Sequence, residues 1–142
     1  MGTAILAPMI ALALWTGVMW VWMYATRLPA MSNTEGLDAG KMVGGIGSDL
    51  DKVLPPKIQW IAHNYNHLME QPTLFYAVCA ALAILDAGSG LNLSLAWAYV
   101  GLRVAHSLFQ ALVNRVVVRF ALFLISGIVL LWLTINAALL VF

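Results

Sequence analysis

Four apolar stretches divide the chain, and in the middle two the polar residues recur at helical spacing. The first runs from about Ala4 to Arg27, close to the ~20 residues that cross a hydrocarbon core. Trp20, Trp22 and Tyr24 near its end resemble an interfacial aromatic belt, and Arg27 is long enough to reach water. The second runs from about 57 to 85. Its first half carries His63, Asn66, His67 and Glu70 three or four residues apart, so they share a helix face; its second half is purely apolar. Pro72 removes one backbone donor just beyond Glu70 and predicts a local kink. The third, about 93–113, carries Arg103, His106, Gln110 and then Asn114, again on one face. The fourth, about 116–140, has no charge after Arg119, and Asn136 is its one deep, strongly polar residue, suited to an interhelical hydrogen bond.

Between these stretches the connections are unequal. Asp86-Ala87-Gly88-Ser89-Gly90 is a short turn and predicts antiparallel neighbours. Residues 29–56 form a long polar loop with five glycines and most of the acids and lysines. Gly36 to Lys41 superficially follows a phosphate loop, but Met42 stands where Ser or Thr is needed and no buried strand precedes it. The loop reads as a mobile polar connection or as a lid at the membrane edge. Pro55-Pro56 marks the start of the next helix.

Composition turns this pattern into a class. Of 142 residues, 63% are hydrophobic and only 9% charged, whereas a soluble domain has about a quarter charged. The expected fold is all-α, an integral membrane four-helix bundle forming one domain. No Lys or Arg precedes Arg27, so the basic region of a cleaved signal is missing and the first stretch reads as a retained span. Arg27, Lys41, Lys52, Lys57, Arg115 and Arg119 lie in or beside loops one and three. The positive-inside rule then puts those loops in the cytoplasm and both termini on the far side. With no targeting extension, a bacterial inner membrane is expected. A net charge of +1 gives no basic surface for nucleic acid. Cys79, the single cysteine, sits in an apolar run and reads as a packing residue.

The two polar stripes carry the chemistry. An ionisable residue deep in a span is a functional-site hypothesis by default. Glu70 and Arg103 fall on adjacent antiparallel helices, and pairing them would relieve two costly burials. Such a pair either only fixes helix register or lines a polar cavity open to the cytoplasm for a zwitterionic or anionic ligand. His63, His67 and Glu70 form a weaker metal alternative without a specific motif, and no metal ligand is assigned. A transporter built on Glu70 and His67 is the least natural reading, because four short spans show no internal repeat.

Ala62-His63, Asn66, Glu70 and Pro72 resemble the helix-two signature of the MAPEG family (membrane-associated proteins in eicosanoid and glutathione metabolism), approximately R-A-H-x-N-x-x-E-N-x-P. Arg103-Val104-Ala105-His106 is similar to the start of the family's R-x-x-H-x-x-x-Y element, and Asn114-Arg115 with Arg119-Phe120 to the start of its fourth helix. Departures are Ile61 for the leading arginine, Gln110 for the tyrosine, an Asn66–Glu70 spacing of four, and one residue fewer before Pro72. The resemblance implies a homotrimer, glutathione as co-substrate at subunit interfaces near the cytoplasmic face, and transferase or peroxidase chemistry on small lipophilic substrates. A non-catalytic scaffold or accessory subunit, with a membrane-protein partner, is the alternative. Carried over by position, His63, Asn66, Glu70 and Arg103 would bind glutathione. Arg119 (less directly Arg115) would stabilise its thiolate, with His106 and Gln110 beside it. A fixed guanidinium lowers a thiol pKa by favouring the charged form.

Overall fold

The computed structural model describes residues 2–38 and 40–142, and these are helical throughout apart from their connections. A short 3-10 stretch, Gly2–Ile5, leads into α1, Leu6–Ser32. The long loop follows, with a 3-10 segment at Gly47–Lys52. Then come α2 (Pro56–Leu68), α3 (Pro72–Ile84), α4 (Gly90–Leu112) and α5 (Val116–Val141).

Two boundaries differ from the sequence pattern for identifiable reasons. The stretch expected as one helix over 57–85 is two helices, interrupted at Met69-Glu70-Gln71. Pro72 has no N–H to give to the preceding turn and instead opens α3, where a proline is tolerated in the first turn. In the other case α1 continues past Arg27 through Pro29 to Ser32. Pro29 lies in the last turn, where its missing donor costs one bond, and its own carbonyl still accepts the Asn33 N–H at 3.1 Å.

α1 runs beside both α2 and α3. Gly2–Ile5 packs on α3, and Arg27 near its other end reaches α2 through Gln59 at 3.0 Å. The two short helices together therefore match the length of one long one. α4 lies along α5 and closes on α1 and α2. The core is apolar at heptad-like spacing: Ile5 of the leading 3-10 stretch and Leu12 and Met19 of α1 are fully buried in one cluster with Phe75, Cys79 and Leu82 of α3, with Tyr99 stacked on Phe75 at 4.5 Å. Cys79 is a free, buried thiol in this packing.

The outer surface is also apolar. Leu14, Val18 and Val21 on α1, and Leu124, Ile128, Leu131 and Leu139 on α5, are each half or more exposed. Both α1 with its leading turn (Gly2–Ser32) and α5 (Val116–Val141) are long and apolar enough to cross a bilayer. Contiguous exposed apolar surface of this extent needs lipid or another protein around it.

The α3–α4 turn is closed tightly. Asp86 adopts φ 55°, and the Ala87 and Asp86 N–H groups return to the Leu82 and Ala83 carbonyls, a Schellman ending. The Asp86 carboxylate accepts the Gly2 N–H. Gly88 is required here: a Cβ on it would stand 1.8 Å from the Gly2 carbonyl oxygen. Asn92 donates to the Ala87 carbonyl at 2.9 Å, and Asn136 of α5 donates to Asn92 Oδ1 at 2.8 Å.

Candidate functional site

At the opposite end the polar residues of α4 turn inward. Arg103 and Ser107 are fully buried, and His106 and Gln110 nearly so. What they meet on α2 is a row of polar residues that shares only His67 with the stripe picked out by the sequence. Ile61, Leu68 and Phe75 are buried at seven-residue intervals, and this row fixes the inward side. Asn64 and His67 lie on that side, with Gln71 following; His63, Asn66 and Glu70 lie on the exposed side.

The expected Glu70–Arg103 pair does not form. Glu70 sits in the break between α2 and α3 and is exposed, while Arg103 Nη2 donates to His67 Nδ1 at 2.8 Å and approaches the His67 carbonyl at 3.5 Å. His63 is likewise away from the interior and meets Asp51 of the long loop at 3.0 Å. Gln110 also differs from expectation: its side-chain oxygen accepts from Asn64 Nδ2 at 3.1 Å, and it is not part of the cleft described next.

His67 and His106 stack with centroids 4.9 Å apart and planes 16° from parallel. Phe123 of α5 presents an edge to His67 at 5.3 Å, and the Arg103 guanidinium lies 5.9 Å from the Phe123 ring centre. Next to this stack is a cleft of about 170 Å³ lined by His67, His106, Val116, Arg119, Phe120 and Phe123. Arg119 is aimed by the elbow between α4 and α5. Asn114 takes φ 53° there, a conformation asparagine tolerates better than most residues, and its Oδ1 accepts from Arg119 Nη1 at 2.6 Å. Of the expected trio, Arg119 and His106 share this cleft; Arg115 is exposed at the elbow.

Several buried atoms at this end have no hydrogen-bond partner among the described residues: Arg103 Nε and Nη1, His106 Nδ1, Ser107 Oγ and Asn64 Oδ1. No carboxylate pairs with Arg103 among the described residues. A buried cation held only by an imidazole and a distant carbonyl is costly, the kind of local frustration that concentrates at functional sites. Among the described residues no three His, Cys, Asp or Glu side chains converge for a metal.

The MAPEG family matches the chain over residues 5–139, nearly its whole length. The chain belongs to the MAPEG family. With its apolar α1 and α5, this MAPEG protein is an integral membrane protein. The family includes glutathione-dependent transferases and peroxidases. No curated protein and no solved structure matches the chain.

Within the MAPEG chain, the sequence reading named Arg119 and the α4 stripe and put His67 in the helix-two stripe without a place in the glutathione site, and it passed over Asn64 and Phe123. The row Asn64, His67, Gln71 at offsets of three and four was legible, and its continuity with the apolar Ile61, Leu68 and Phe75 was the available signal.

Proposed function

We propose that this MAPEG protein is a membrane-bound glutathione-dependent transferase or peroxidase acting on lipophilic electrophiles. The observation that carries this reading is Arg119, fixed by Asn114 in a cleft walled by two imidazoles and two phenyl rings. The guanidinium holds its charge at every working pH and favours the ionised thiol of glutathione. The thiol proton leaves to water, the electron pair stays on sulfur, and the thiolate attacks an electrophilic carbon, expelling a leaving group or adding across a double bond. With a hydroperoxide, the thiolate attacks the distal oxygen, releasing an alcohol and leaving a sulfenate. A second glutathione reduces this to disulfide and water.

His63 and Asn66 on α2 and Glu70 in the break after it form an outward-facing polar row. A charged row facing lipid is unfavourable, which supports a homotrimer in which this row meets a neighbouring subunit and binds the peptide part of glutathione there. Arg103 belongs to the polar interior behind that site. In this reading α1, α2 with α3, α4 and α5 form four membrane-crossing paths, with loops one and three on the cytoplasmic side of a bacterial inner membrane.

An ultraviolet difference titration of the detergent-solubilised protein with glutathione tests the reading. A saturable thiolate band that Arg119→Ala abolishes, with the variant still folded, is expected. Glutathione binding without the band would remove Arg119 from the chemistry. One observation favours a non-catalytic MAPEG scaffold instead: Gln110 is engaged with Asn64 and supplies no donor to the cleft. A scaffold would show neither band nor calorimetric binding, and Glu70→Gln would change its assembly regardless of ligand.

A further inference from the structure

The cleft has a second polar wall besides Arg119, and its chemistry is set from behind. A guanidinium donates hydrogen bonds and accepts none. Arg103 Nη2 lies 2.8 Å from His67 Nδ1, so that nitrogen is the lone-pair nitrogen and the ring is neutral with its proton on Nε2. The ring is not free to turn. It is stacked on His106 within 16° and edged by Phe123 at 5.3 Å, and a half-turn would put a carbon against the guanidinium. Nδ1 faces Arg103, the same ring lines the cleft, and Nε2 is its one polar atom without a partner among the described residues. The charged groups around this ring are Arg103 of α4, Arg119 of α5 and Glu70 after its own helix.

We propose that His67 is a neutral hydrogen-bond donor to the reacting sulfur through Nε2–H, and that Arg103 is the positioning residue that fixes this tautomer. The proposal rests on the glutathione reading above. Arg119 supplies charge; His67 supplies a donor of fixed direction that needs no reorientation as negative charge develops on sulfur. Arg103 thereby has a role while remaining sealed from the cleft. The proton still leaves the thiol for water, and His67 gains and loses none.

Nitrogen-15 NMR of histidine-labelled protein in detergent reads the tautomer directly, with the His67 signals assigned by their loss in His67→Phe. The expected spectrum shows His67 bare at Nδ1 and protonated at Nε2, with the Nε2–H signal shifting on addition of glutathione. Arg103→Met should release the ring to both tautomers, and Arg103→Lys, which keeps a donor, should restore the single one.

The pH profile of the glutathione thiolate band gives the second readout. His67→Phe keeps the stacked ring but has no donor, and should reduce thiol ionisation about tenfold, raising the midpoint by about one unit. His67→Gln, which offers an amide N–H, should recover part of that shift. Affinity for S-methylglutathione, which has no thiol, should stay unchanged in all of these variants. A protonated Nδ1 in the wild type, or an unmoved midpoint in His67→Phe, overturns the proposal while leaving the glutathione reading intact. A wild type that shows neither thiolate band nor S-methylglutathione binding overturns that reading, and the donor role falls with it.

Discussion

At the α3–α4 turn, Asp86 accepts the Gly2 N–H, Asn92 reaches the Ala87 carbonyl and Asn136 reaches Asn92. At the loop-one end, Arg103, His106 and Ser107 are buried at least as deeply, yet each carries an atom with no partner among the described residues. Both ends are built from the same materials: short turns, asparagines and a residue in the left-handed region at a helix terminus. One end uses its polar groups to close the structure. The other leaves several of them without partners, the kind of local inconsistency that concentrates at functional sites.

The sharpest way to break this contrast is Gly88→Ala. The new Cβ would lie 1.8 Å from the Gly2 carbonyl oxygen and within 2.6 Å of Ile5 Cγ2, with backbone on one side and core on the other. Thermal unfolding in detergent should show a loss of about 3 kcal/mol or more. Unchanged stability would mean the closing end is looser than its geometry indicates.

Arg103→Met should move in the opposite direction. Replacing a buried, carboxylate-free cation with an apolar side chain of similar length should leave stability unchanged or raise it by about 1–4 kcal/mol, even as thiol ionisation weakens. A large destabilisation would place Arg103 among the structural residues and erase the difference between the two ends.

Asn114→Ala tests the elbow that aims Arg119. Alanine at φ 53° is strained by about 1–2 kcal/mol, and the Oδ1 acceptor is lost as well. Asn114→Gly relieves the strain but not the lost acceptor, so it should retain stability and still weaken the thiolate band. Equal bands in both variants and the wild type would show that Arg119 needs no anchor.

The smallest effect expected is that of Asn136→Leu at the closed end. Side-chain hydrogen bonds between membrane helices average about 0.6 kcal/mol, so the unfolding midpoint should fall only slightly and glutathione binding not at all. A lost thiolate band here would show that the two ends are coupled along α4 and α5.

Much of the architecture was legible because hydropathy and helical period are properties of short stretches. The apolar runs marked α1 and α5, and the glycines around Ser89 marked the turn. The site was only half legible. A polar stripe on a helix shows that one face is special without showing which neighbouring row faces the core. His63, Asn66 and Glu70 each stand one residue, roughly 100° or just over a quarter of a helix turn, from Asn64, His67 and Gln71 of the row that turns inward. The break at Met69–Gln71 and the packing of Ile61, Leu68 and Phe75 settle the choice, and both depend on tertiary contacts. Gln110 illustrates the same limit: its position on the α4 stripe was clear, but its engagement by Asn64 required the partner helix.

The interruption between α2 and α3 has a consequence for how the chain is made. α1 and α5 are uninterrupted and apolar enough to leave an insertion channel for lipid singly. α2 and α3 are each only 13 residues long, and α4 carries Arg103, a residue that costs about 2.5–3.5 kcal/mol at mid-membrane on insertion scales. The middle of the chain should therefore enter as a cooperative hairpin, with α1 already in the bilayer as its template and α5 arriving last to seal it. Truncating the chain before Val116 would then leave a nascent protein whose centre slips back toward water, a failure of biogenesis rather than of folding.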